Sequence, residues 1–234
     1  MKKLIRKLQG HTDQMLGCFI GLKEKYAFLE PMLFQREVVE KYSKGQKFRG
    51  FNAIKYSLFY DCVQDLTKLS LDADERTPSI KNIMDSLEKN KAVLRQLCET
   101  FSQWGNPIRE DEDEDMKEAL KKYQLKEQER LRTEFYNLYN KTCSDWNSFK
   151  YQKYMCGLKT IRDKLTAHLE LRLVDGQYRL TDMSRLGLKW GDLPKAISEV
   201  EEIVLNLNLI VRSASFSMES LVEPLERDKK AFWD

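Results

Sequence analysis

Apolar residues recur at steps of three and four along the whole of residues 193–214. They are Leu193, Ile197, Val200, Val204, Leu207, Val211 and Ala214. This spacing predicts an amphipathic helix, with Asp192 able to cap its amino-terminal end. Four further apolar residues widen the stripe until the middle of the helix is nearly surrounded: Ile203, Leu205, Leu209 and Ile210. We therefore expect this helix to be the centre of a helical core or part of a subunit interface.

Shorter stripes of the same period predict helices over most of the remaining chain. They cover about residues 4–31, 34–41, 51–69, 77–104, 116–149 and 154–168. We expect Pro31 to stop the first of these helices and Thr77, followed by Pro78, to begin the fourth. An alternating segment around Asp175 and Gly176 predicts a small hairpin or loop at about 171–182. The fold class predicted from these patterns is all-α.

Composition excludes several classes of protein. Charged residues make up 33% of the chain and hydrophobic residues 41%, which is typical of a globular domain rather than a disordered chain. The five cysteines are widely spaced and form no Cys-x-x-Cys pair, so we expect no disulfide framework, no zinc site and a reducing cytosol. The short apolar run at 15–22 predicts neither a signal peptide nor a membrane span. We expect a cytoplasmic protein that does not bind membranes.

Two acidic features raise the question of metal binding. Asp61 and Asp65 lie one helical turn apart, but the chain lacks the Glu-x-x-His that carboxylate-bridged metal sites in bundles require. Residues 110–115 are six consecutive acids without the turn glycine of a calcium loop. Both features favour solvated or salt-bridged surfaces, and we expect neither a metal nor a cofactor.

Positive charge is concentrated in one segment. The net charge of the whole chain is only +3, too small to indicate a nucleic-acid-binding protein. Residues 150–189, however, contain nine basic and four acidic residues. This segment includes Arg162 and, six residues later, His168, one of the two histidines. An arginine fork suits phosphate oxygens, and histidine titrates near neutral pH. Arg6 and His11 have a similar spacing, so spacing alone does not decide between the two pairs.

The wording around Arg162 resembles a known family. The phrase Ile-Arg-Asp-Lys-Leu-Thr-Ala-His at 161–168 is similar to the Arg-x(4-6)-His signature of the HEPN superfamily, and specifically to its AbiU-type abortive-infection branch. Two further stretches, 52–69 and 188–193, resemble the same branch. The resemblance implies an HEPN-like antiparallel helical bundle with extra N-terminal helices. We expect an N-terminal helical extension at 1–50, the HEPN-like domain at 51–222 and a charged tail at 223–234.

The resemblance also implies a function. Many HEPN proteins are metal-independent endoribonucleases of toxin–antitoxin or phage-defence systems. It implies that Arg162 and His168 are catalytic, with Asp163 in support, and that the site forms between two protomers of a homodimer. Lys164 and Arg172 are candidate phosphate contacts. Six residues of a straight α-helix advance about 9 Å and turn about 120°, so the pair would not converge well within one chain.

Two other functions are left open by the sequence. Some HEPN-like proteins are non-catalytic helical modules that bind a partner protein, such as an antitoxin or another defence protein, or RNA. A protein that only binds RNA through its basic segment would lose affinity steeply with salt and would not need the histidine.

Overall fold

The computed structural model describes residues 1–42, 44–103, 113–166, 171–174, 177–180 and 186–233. Within these ranges the chain is an all-α bundle with one small hairpin. The helices are α1 (Lys2–Phe34), α2 (Arg36–Tyr42), α3 (Lys47–Leu71), α4 (Ile80–Lys89), α5 (Lys91–Ser102), α6 (Glu114–Lys150), α7 (Lys153–Ile161), α8 (Asp192–Arg212) and α9 (Glu219–Trp233). A π-helical turn (Arg162–Thr166) continues α7, and the strands are β1 (Leu171–Val174) and β2 (Gln177–Leu180). The predicted all-α fold class is confirmed.

The centre of the core is α8. It packs against α1, α3, α5 and α6, and Val200, Ile203, Val204 and Leu207 are fully buried. The sequence predicted that this helix is either the centre of the core or part of a subunit interface. The structure shows that it is the centre of the core, because neighbouring helices of the same chain cover most of its apolar stripe. The predicted cap is wrong, since the Asp192 carboxylate accepts the backbone N–H of a residue outside the helix, at 2.8 Å.

The first helix does not stop at Pro31. It continues to Phe34, and the Pro31 carbonyl accepts the backbone N–H of Gln35 at 3.1 Å. A proline so close to the end removes one backbone hydrogen bond from the last turns. Its ring is buried, so packing offsets that loss and the predicted end was wrong by one turn.

Residues 77–104 do not form the single helix that the sequence predicted. The N-cap is Ser79, not Thr77: its hydroxyl accepts the backbone N–H of Asn82 at 3.2 Å. The helix then breaks at Asn90, where the backbone has φ −121° and ψ 74°. Asn90 closes α4 by donating from its side chain to the Ser86 carbonyl at 2.8 Å. An asparagine side chain can satisfy the backbone groups at a helix end through local hydrogen bonds. The helix can therefore break at Asn90 although the apolar spacing of the sequence continues without interruption.

The remaining predicted elements are present. The long charged α6 begins within the acidic run, with Glu114 and Asp115 in its first turn, where carboxylates favour the helix dipole. The hairpin is antiparallel and pairs β1 with β2 from Leu171 opposite Leu180 to Val174 opposite Gln177. Within the described ranges, no helix is long and apolar enough to cross a membrane.

The C-terminal segment folds back on the bundle as α9. Lys229 Nζ lies 3.2 Å from a carboxylate oxygen of Glu30 in α1. Trp233 packs with Tyr42 and Phe51, at centroid distances of 5.9 and 6.5 Å. The C-terminal helix therefore packs against the carboxyl-terminal end of α1, the end of α2 and the start of α3.

Candidate functional site

The helix that leads to Arg162 is anchored on both sides. In α7, Leu158 and Ile161 are each 1% exposed, and the helix packs against α3. The Tyr154 hydroxyl donates a hydrogen bond of 2.5 Å to Glu199 of α8. Burial raises the pKa of Tyr154 above its usual value, and this carboxylate raises it further. The position of Arg162 is thus tied to the core helices.

Arg162 begins a π-helical turn that ends at Thr166. A π turn is closed by backbone hydrogen bonds between residues five apart, and such turns are frequent at functional sites. The straight α-helix assumed for the motif is therefore wrong over 162–166, and the angle of about 120° derived from it does not apply there. The predicted catalytic residue His168 lies outside the described residues.

Asp163 holds the guanidinium of Arg162. Arg162 Nε donates to Asp163 Oδ1 at 2.7 Å, and Nη2 lies 2.7 Å from the same oxygen. The arginine side chain is 21% exposed and the aspartate side chain 42%. A charge-assisted contact of this kind restricts the rotation of the guanidinium. This is the geometry expected of an orienting carboxylate, while its catalytic role stays a prediction.

The two candidate phosphate contacts lie on different elements. Lys164 belongs to the π turn and is half-buried. Arg172 belongs to β1, opposite Arg179 of β2. The structure therefore groups Arg162, Asp163 and Lys164 in one turn and places Arg172 on the hairpin that follows.

The segment after the hairpin packs on α7. Gly157 is buried, and a Cβ built there would lie 2.8 to 3.0 Å from three side-chain carbons of Leu188. Because real Cβ contacts are not that short, Leu188 occupies space that only glycine leaves open. The stretch 188–193 is held in this way beside the helix that carries the motif.

The same segment also packs on α3. The ring of Trp190 lies 5.1 Å from the ring of Phe59 and 6.2 Å from that of Tyr56, measured between centroids. Lys55 Nζ is 5.9 Å from the Trp190 centroid. The three stretches with AbiU-type wording, which are far apart in sequence, therefore meet around α7.

A comparison with known protein families supports the resemblance of these three stretches to AbiU-type proteins. The sequence model of the AbiU2 family of HEPN proteins matches residues 5–232. The chain belongs to the AbiU2 family. It is therefore a HEPN protein of the abortive-infection type. No curated protein and no solved structure matches the chain significantly. The match includes most of residues 1–50, in which no family wording is apparent by inspection.

A cavity that the sequence did not predict lies beside α7, the helix that precedes the motif of this AbiU2 protein. Its volume is about 310 Å³, and its lining comes from the ends of α3, α6 and α7 and from α4. Lys150 and Lys159 contribute to the lining together with the buried Trp146. The sequence signal was the excess positive charge of 150–189, but a charge count does not show which lysines share a cavity.

The second histidine of the chain lies in another cavity, of about 380 Å³, between α1 and α4. Partial burial lowers the pKa of His11, and the nearby Lys7 lowers it further. Arg6, its motif partner by spacing, does not line this cavity. Arg6 and His11 therefore do not line a common cavity among the described residues.

Asp61 and Asp65 were considered for metal binding, and Asp65 is paired with a lysine instead. Asp65 accepts a hydrogen bond of 2.6 Å from Lys25 Nζ, and this bond raises the pKa of Lys25. Asp61 is exposed. Across the parts of the chain that the structure describes, no group of three or more histidine, cysteine, aspartate or glutamate residues could hold a metal ion.

Proposed function

We propose that this AbiU2 protein is a metal-independent endoribonuclease of a toxin–antitoxin or phage-defence system. It acts on cellular RNA in the cytoplasm, with an antitoxin or another defence protein as its partner. The observation that carries the proposal is the guanidinium of Arg162, which Asp163 holds at 2.7 Å within the family motif. A fixed guanidinium fork suits two oxygens of one phosphate.

The proposed reaction uses the RNA's own 2′-hydroxyl as the nucleophile. A base removes the 2′ proton, and the 2′-oxygen then bonds to the adjacent phosphorus. The 5′-oxygen leaves and takes a proton from an acid. The products are a 2′,3′-cyclic phosphate and a 5′-hydroxyl, so no water is consumed and no metal is needed. His168 exchanges a proton with one of these oxygens, while Arg162 stabilises the charge on the phosphate.

We further propose that two copies of the chain form the site. This part rests on the family resemblance, which brings two motifs together across a two-fold axis. The apolar stripe of α8, one candidate for a subunit interface, is covered within the chain. Only Leu205 and Leu209 of the residues that widen this stripe stay half-buried, so the interface of the proposed homodimer lies mainly on another surface.

Substitution of the two histidines tests the proposal. His168→Ala should abolish RNA cleavage and any growth arrest caused by expression, because it removes a proton-transfer group. His11→Ala is the matched control and should retain both, since His11 lies in a separate cavity. Unchanged cleavage and toxicity in His168→Ala would reject the nuclease at this motif. Growth arrest without RNA cleavage by either protein would favour the non-catalytic binding module.

A further inference from the structure

The cavity beside α7 has a lining suited to an anionic ligand. Lys81, Lys150 and Lys159 line it, and Asp85 is the one acidic residue among the lining residues of the described chain. Asp85 is paired with Lys81 at 2.7 Å. Two lysine charges, those of Lys150 and Lys159, therefore remain without a carboxylate partner among the described residues. At about 310 Å³ the cavity is at the small end of ligand sites.

An exposed aromatic ring lies next to Lys150, one of the lysines that line this cavity. Tyr151 is 79% exposed. Lys150 Nζ lies 5.1 Å from the Tyr151 centroid and 5.9 Å from that of Trp146. A lysine next to an exposed ring can bind a phosphate while the ring stacks on the neighbouring base, as proteins that bind single-stranded nucleic acids do.

Helix α7 connects the cavity to the motif. Lys159 precedes Arg162 by three residues, so the two lie about 4.5 Å apart along the helix axis and on neighbouring faces. Leu71, at the end of α3, and Met155, near the start of α7, line the same cavity. Because α3 also packs against the π turn, the two helices run antiparallel, and α7 runs from the cavity to Arg162.

We propose that this cavity is a subsite for single-stranded RNA. Lys150 and Lys159 bind consecutive backbone phosphates, and Tyr151 stacks on a base near the bond to be cut. The proposal rests on the proposed ribonuclease function and adds to it the path of the RNA. It also predicts a preference for single strands, because bases in a duplex already stack on each other and are not available to Tyr151.

RNA binding can be measured separately from cleavage. A fluorescent 12-nucleotide RNA of mixed sequence with 2′-O-methyl groups lacks the nucleophile and cannot be cut by the proposed reaction. Its anisotropy should be measured against salt with the full-length protein, with the double variant Lys150→Gln/Lys159→Gln and with the control Lys121→Gln/Lys126→Gln. The two control lysines are exposed and lie at least about 36 Å from Lys150 along α6.

The charge variants have defined expectations. Loss of two phosphate contacts should reduce the slope of log K against log salt by about 1.4, at about 0.7 for each contact with a single strand. The control double variant should keep the wild-type slope. A cavity variant with the wild-type slope and affinity would overturn the subsite, and so would a wild-type protein that does not bind this RNA.

The stacking contact has its own matched pair. Tyr151→Ala should weaken binding by about 5- to 150-fold, as loss of one stacked base does, and Tyr151→Phe should bind like the wild type. Equal affinity of the alanine variant, or equal affinity of the wild type for the corresponding duplex, would overturn the stacking role. The failure of the proposed function is seen in a separate assay with unmodified RNA, either as no cleavage or as cleavage that does not depend on His168.

Discussion

The side chain of Leu188 occupies the space that the missing side chain of Gly157 leaves on α7. The carbons of Leu188 lie 2.8 to 3.0 Å from the position of a Cβ at residue 157. This relationship joins the segment after the hairpin to the helix that carries Arg162. A single methyl group at residue 157 is therefore expected to disturb both the stability and the site.

Gly157→Ala should destabilise the protein although alanine favours helices. Overpacking costs about 1–3 kcal/mol, which over most of that range exceeds the gain of about 0.8–1.0 kcal/mol from helix propensity. Gly17→Ala is the matched control, because residue 17 is in α1 with nothing within 4 Å of its Cβ position, and it should be stabilising. Thermal unfolding of the two variants checks this pair, with about 2–4 °C expected for each kcal/mol. A higher melting temperature for Gly157→Ala would contradict the close packing.

Asp163 should act by positioning Arg162. Asp163→Ala removes the acceptor of the 2.7 Å hydrogen bond and should lower kcat by about 10- to 100-fold, as misplacement of a catalytic group does. Asp163→Asn keeps an acceptor oxygen and should recover part of that loss. The measurement is kcat and KM for RNA cleavage by the two variants. A wild-type kcat in Asp163→Ala would show that the contact does not matter for catalysis.

The packing of α3 in the core can be tested through Cys62. Burial raises the pKa of this thiol from 9.0 to about 12, so the thiolate is scarce at pH 8 and a thiol reagent must react slowly. In the unfolded chain the thiol ionises near its usual pKa, so folding stability should fall as the pH rises from about 9 towards 12. Timed labelling followed by mass spectrometry should show Cys18 and Cys156, both exposed, reacting first.

Guanidinium provides the control for this labelling, because all five cysteines should react rapidly once the chain unfolds. Rapid labelling of Cys62 in the native protein would indicate that the core around α3 opens.

The proposed subunit boundary can be tested by mixing two inactive variants. Arg162→Ala and His168→Ala should each be inactive alone. If the pair works across a two-fold axis, a mixed dimer contains one intact arginine and one intact histidine on opposite chains, and cleavage should return after subunit exchange. Sedimentation should show a dimer under the same conditions. No recovery in a mixture shown to form mixed dimers would place the pair within one chain.

The sequence predicted the helices better than their ends. The apolar period predicted the long helices because burial on one face repeats at every turn. The wide stripe of α8 predicted either the centre of the core or a subunit interface, and the structure places it at the centre of the core. Period carries no information about a break that local hydrogen bonds can satisfy, as at Asn90, or about a proline tolerated in the last turn, as at Pro31. The apolar period also does not show which of two nearby hydroxyls caps α4, and the N-cap is Ser79 rather than the predicted Thr77.

The candidate site was predictable in part. The wording at 161–168 identified Arg162 and Asp163, which the structure places in contact. The π turn was not predictable, because its residues continue the apolar pattern of an ordinary helix. The cavity with Lys150 and Lys159 depends on how the ends of α6 and α7 pack with α3 and α4, and that contact between distant segments leaves no local pattern.

The chemistry of the RNA ends tests the ribonuclease proposal most directly. Wild-type protein should cut RNA in the presence of EDTA and leave 2′,3′-cyclic phosphate and 5′-hydroxyl ends, which can be identified by mass spectrometry of the fragments. Arg162→Ala, purified in the same way, should leave the RNA intact. Ends that carry a 5′-phosphate, cleavage that stops when EDTA is added, or equal cleavage by Arg162→Ala would contradict the proposal.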